Sequence, residues 1–65
     1  MGHLLSYTNG IIGHGLSNDL DEAMREAEER CNEMQQAATI VDRHTYRVRA
    51  KVHATISGYT AIKEE

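Results

Sequence analysis

Arg47, Arg49, Lys51 and His53 stand two residues apart in one alternating run. In an extended strand every second side chain points to the same face, about 6.5–7 Å from the last, so this stripe can follow a row of phosphates or carboxylates. The same pattern also serves as a solvated sheet face whose charges discourage edge-to-edge aggregation. Surfaces that read nucleic acid interleave aromatic rings with the cations for base stacking, and this stripe has none. Carboxylates of a protein partner, or phosphates on another ligand, therefore fit it better. Nucleic acid is a permitted but less favoured partner.

A second charged surface lies earlier in the chain. Asp19, Asp21, Glu22, Glu26, Glu28, Glu29 and Glu33 are offset only by Arg25 and Arg30, whereas Arg43, Arg47, Arg49 and Lys51 cluster around the single acid Asp42. The net charge of −3 thus hides two halves of opposite sign, which could attract one another between neighbouring copies. Glu22, Glu26, Glu29 and Glu33 form the alternative binding surface. A compact acidic helix can imitate the charge of nucleic acid, as a small phage or mobile-element inhibitor of a host protein would.

The remaining reactive residues lack the settings that catalysis or cofactor binding needs. Gly13-His14-Gly15 before a helix start has the order of a phosphate-cradling loop, but Asn18 stands where a dinucleotide fingerprint has its third glycine, and no Walker lysine follows. His3, His14, His44 and His53 show no zinc-type spacing. Cys31 falls in an apolar helix seam, where a structural thiol is the ordinary occupant, and Ser6, Ser17 and Ser57 have no nucleophile-elbow context. Paired carboxylates on a solvated helix have no pocket to separate their pKa values. The chain is expected to be non-enzymatic, without metal or cofactor.

These groups must be positioned by a few short elements. Leu4 to Thr8 and Ile11-Ile12 flank Asn9-Gly10, a strong hairpin signal because both turn residues tolerate positive φ. Gly13 to Gly15 would end the second arm early, so residues 3–15 form either a hairpin or one bulged strand. Ser17-Asn18-Asp19 supplies helix caps, and a helix is predicted from near Asp19. Its seam is Leu20, Met24, Ala27, Cys31, Met34 and Ala38, with Asp21–Arg25 and Glu26–Arg30 as i,i+4 pairs. From Thr45 to Ser57 the alternation places Tyr46, Val48, Ala50, Val52, Ala54 and Ile56 on an inward face. Asp42 and His44 mark a turn or bulge before it, and Tyr59 to Ile62 follow Ser57-Gly58 as a short strand or tail.

Sixty-five residues with two-fifths hydrophobic content suit one domain, residues 1–65. With no Phe or Trp the usual source of core area is missing, and one cysteine cannot make an internal disulfide. Oligomerisation is the expected supplement. The free thiol and the lack of a signal-peptide pattern suit the cytoplasm, and no run reaches the roughly 20 apolar residues of a membrane span.

Gly-Ile-Ile-Gly at 10–13, Leu-Asp-Glu-Ala at 20–23 and the run from Tyr46 to Val52 together resemble dodecin, a small β-α-β-β family. The resemblance implies a hollow homo-oligomeric shell for small-molecule storage. It lends no support to flavin binding, because the stacking tryptophan of that family is absent, and the stretch after the helix is short for its middle strand. The sequence therefore predicts an α+β fold, one amphipathic helix on a small antiparallel sheet ordered β-α-β-β or β-β-α-β-β. The expected function is a small interaction module that self-associates and binds an acidic or phosphate-bearing partner through Arg47, Arg49, Lys51 and His53.

Overall fold

A computed structural model describes residues 2–8, 10 and 12–64. The helix α1, Leu20–Met34, begins where Asp19 leaves the extended region and its carboxylate accepts the Glu22 N–H at 3.1 Å. Asp21 and Glu22 in the first turn add negative charge at the positive end of the helix dipole. It ends at Gln35, which adopts a left-handed φ of 54° and donates its N–H to the Cys31 carbonyl.

Five strands form one antiparallel sheet: β1 (His3–Tyr7), β2 (Ile12–Leu16), β3 (Ala38–Asp42), β4 (Val48–Thr55) and β5 (Gly58–Lys63). Their spatial order is β2-β1-β3-β4-β5. Strands β1 and β2 make a hairpin, the first of the two expected geometries rather than one bulged strand, and the pair carries an irregularity between Leu4 and Ser6. Gly10, at φ 92°, sits in its turn; Asn9 and Ile11 lie outside the described residues. Gly13 and Gly15 continue β2 rather than ending it. Gly13 passes close to the Tyr7 ring, where a Cβ would lie 2.8 Å from Cε2.

The helix covers one face of the sheet. Ala23, Ala27 and Cys31 are fully buried against Leu5, Tyr7, Leu16, Ala38, Ile40, Ala50, Val52 and Ala61, with Leu20, Met24 and Tyr59 at the margin. Five of these eleven buried residues are alanines, so the helix lies close to the sheet but buries little area per residue. The expected seam is shifted: Ala23 joins it, Met34 is exposed, and Ala38 belongs to β3. Asp21 lies 3.5 Å from Lys63, and Glu26 accepts the Ser17 N–H, so both carboxylates reach beyond the helix rather than to Arg25 and Arg30.

Three strands follow the helix, one more than the longest predicted order contains. The physical cause is the segment after Asp42, whose carboxylate accepts the N–H groups of His44 and Thr45 and closes a tight loop. Only Ala50 and Val52 of the expected inward face are buried. Tyr46 belongs to the loop, Ile56 to the β4–β5 turn, and Val48 to a bulge, which leaves Tyr46 65% and Val48 41% exposed.

The two sheet edges differ. On β5, Asn32 accepts the Tyr59 N–H at 3.1 Å and donates to the Tyr59 carbonyl at 3.4 Å, while Glu28 accepts the Ala61 N–H at 2.8 Å. Helix side chains thereby occupy backbone groups that another strand would use.

Candidate functional site: the open sheet face

The helix layer is one-sided, so among the described residues no element covers the second face of the sheet. Strand register places Ser6, Thr39, Lys51 and Ile62 side by side across four strands. Leu4, Val41 and Val48 form the next row, and His53 pairs with Thr60 on the other side. The face therefore grades from an apolar end to an end bearing cations and hydroxyls.

The four residues of the predicted stripe do not stay together. Lys51 and His53 share this face, because β4 alternates regularly between Ala50 and Thr55. Arg47 precedes the strand in the loop, where its N–H meets the Thr45 hydroxyl. Arg49 lies at the bulge: Ile40 faces Ala50 while Val41 faces Val48, so β4 carries one extra residue there. Its guanidinium approaches Asp42 to 4.0 Å, and it lines a hollow with Gly2, His3, Asn18, Asp19 and Leu20 at the helix N-terminus. An uninterrupted alternation in the sequence cannot reveal a bulge, because no residue type in Val48-Arg49-Ala50 announces it.

Tyr46 corrects a second expectation. It has a left-handed φ of 59°, unusual for a bulky residue, and it lines an apolar hollow of about 250 Å³ with Leu4, Ser6 and Val41. An aromatic side chain thus stands at the apolar end of the face that carries Lys51. Lys51 Nζ lies 4.0 Å from a Glu64 carboxylate oxygen, but both side chains are about half exposed and the pair leaves the cation accessible. In the loop, hydrogen bonds from Thr45 and His44 hold the Asp42 carboxyl below its ordinary value of 3.8.

The acidic surface is divided by its structural duties. Glu26 and Glu28 receive backbone N–H groups of Ser17 and Ala61, and Glu26, Glu29 and Glu33 line a polar hollow with Arg30, Ser17 and Gly15. Glu22 is exposed on the first turn. His3 is buried and donates from Nδ1 to the Ser17 carbonyl at 2.9 Å. His14 lies on β2, His44 in the β3–β4 loop and His53 on β4. Among the described residues, no group of three His, Cys, Asp or Glu side chains is placed to hold a metal. Cys31 is fully buried, and burial pushes its thiol pKa up, opposite to the shift that activates a nucleophile. The glycines of β2 do not form a loop around the helix N-terminus, whose Glu22 N–H is taken by Asp19. Among the described residues, no helix is long and apolar enough to cross a membrane. No family model, curated protein or solved structure matches the chain.

Proposed function

We propose that this chain is a non-enzymatic interaction module that self-associates and binds an acidic or phosphate-bearing partner on the open face of its sheet. The observation that carries the reading is the row Ser6–Thr39–Lys51–Ile62, flanked by His53–Thr60 and uncovered by the helix. Lys51 offers three donors to anionic oxygens, and the neighbouring hydroxyls add neutral ones. The Leu4–Val41–Tyr46 end supplies apolar contact area, so an extended anionic chain would lie across the strands with its charges toward Lys51 and His53. The acidic helix occupies the other side of the sheet, which keeps its carboxylates away from the bound anion.

Fluorescence anisotropy with a labelled polyglutamate peptide and a labelled single-stranded oligonucleotide tests this at low and high salt. Lys51→Gln with His53→Gln should weaken binding and lower the salt slope for the oligonucleotide by about 1 per lost phosphate contact, whereas Arg25→Gln on the helix should leave it unchanged. Parent-like binding of both probes by the double variant, or no binding of either by the parent, would remove the open face from consideration.

A further inference from the structure

The contrast between the sheet edges identifies a second interaction surface. Strand edges expose unpaired N–H and C=O groups that template pairing with another chain, and proteins commonly block them with charge, proline, bulges or covering elements. The β5 edge is blocked: Asn32 takes both backbone groups of Tyr59, and Glu28 takes the N–H of Ala61. Strand β2, Ile12-Gly13-His14-Gly15-Leu16, carries no acid, lysine, arginine or proline, and it pairs on one side only, with β1. Its pairing with β1 is interrupted by the irregularity opposite Leu4–Ser6. At Gly15, the partner of Leu4, an added Cβ would find no atom within 4 Å, so the open face beside this edge is unobstructed there.

We infer that a second copy of this chain pairs antiparallel along the free edge of β2, joining two five-stranded sheets into one of ten strands. A second copy is the occupant that the rest of the fold favours. The alanine-rich core leaves the single chain with little buried area, and an isologous β2–β2 contact consumes the open edge of both copies at once. What remains outermost is β5 at either end, already closed by Asn32 and Glu28, so assembly stops at two. The uncovered faces of the two copies then become continuous, with their β4 strands seven strand spacings apart, roughly 34 Å. Glu26, Glu29 and Glu33 flank this edge and, among the described residues, share their hollow with the cation of Arg30. Pairing therefore brings like charges toward one another, and association should strengthen with added salt, opposite in sign to anion binding at Lys51. The inference rests on the self-association proposed above and is independent of the anionic partner.

Sedimentation equilibrium over a range of protein concentration, at low and high salt, tests it. The parent should reach twice the chain mass and dissociate less at high salt. Gly15→Glu puts a carboxylate on the open-face side of β2, in space that the fold leaves empty, so that two like charges meet across the paired edge. It should keep the parent circular dichroism spectrum and weaken dimerisation at least tenfold. Asn32→Ala uncovers the Tyr59 backbone and should produce species larger than the dimer. Hydrogen exchange of the unmodified chain, compared above and below its dissociation midpoint, should show concentration-dependent protection in residues 12–16, which keeps the test decisive if either variant fails to fold. A parent that remains monomeric throughout, or a dimer unaffected by Gly15→Glu with no protection in 12–16, would overturn the inference. A monomer that still binds polyanion through Lys51 sinks the proposed self-association and this inference with it, a dimer without protection in residues 12–16 sinks this inference alone, and a β2-paired dimer that binds no polyanion sinks only the open-face reading.

Discussion

The same substitution made two residues apart on β2 should change stability in opposite directions. At Gly13 a new Cβ would stand 2.8 Å from Tyr7 Cε2 and 3.2 Å from the Leu5 carbonyl oxygen. Carbon atoms are comfortable at about 3.5–4.0 Å, so the ring would have to retreat by about 0.7–1.2 Å. Tyr7 is only 7% exposed and packs in the core, and the Leu5 carbonyl belongs to β1, an interior strand paired on both sides, so neither yields freely. Overpacking of this kind costs about 1–3 kcal/mol, against which the reduced entropy of the unfolded chain returns about 0.4–1 kcal/mol. Gly13→Ala should therefore lose about 1–2 kcal/mol, while Gly15→Ala, with open space around its Cβ, should gain about 0.4–1 kcal/mol. Urea denaturation followed by circular dichroism, at one protein concentration for all three proteins, measures both changes; a dimer makes the fixed concentration essential. Equal stability of Gly13→Ala and the parent would show that Tyr7 does not lie over β2 as described. Destabilisation by Gly15→Ala would show that its surroundings are occupied.

Cys31→Ala should cost about 1–2 kcal/mol and leave polyanion binding intact, and the native thiol should react slowly with a disulfide reagent, both consistent with full burial. Val52→Ala, at a site 1% exposed, should lose about 1–3 kcal/mol, whereas Val48→Ala at the exposed bulge should lose less than about 1 kcal/mol; thermal and urea melts compare them. Asp42 has a folded pKa below its ordinary 3.8, so its contribution is fully present above that value and is lost as pH falls below 3.8 through the folded pKa. In urea midpoints measured across that acid range, Asp42→Asn should remove this part of the decline. Tyr46→Asn should relieve a left-handed backbone held by a bulky residue and raise stability by up to about 1 kcal/mol, while weakening any partner seated on the Leu4–Val41 hollow; a loss of stability would assign the ring a packing role instead.

Local chemistry was enough to place the helix and the class of the fold. Asp19 with Glu22 is a complete capping signal within four residues, and the acid-rich outer face with Ala27 and Cys31 inside follows the helical period. Alternation likewise identified β4 from Ala50 to Thr55, and Asn9-Gly10 stood between the two arms that pair as β1 and β2. The tertiary structure decided which side of each strand the helix covers and where the alternation breaks. Val48 and Arg49 leave the expected rows because β4 must accommodate one more residue than β3, a constraint set by pairing between strands rather than by either strand alone. Tyr46 moved from expected core to exposed loop because the Asp42 carboxylate closes the turn around it. The closing of β5 by Asn32 and Glu28 was equally out of reach of sequence, since those contacts join residues 27 and 33 positions apart. Periodicity reports what a segment does by itself, whereas the candidate surfaces of this protein arise from register and from the packing of its helix on one face of the sheet.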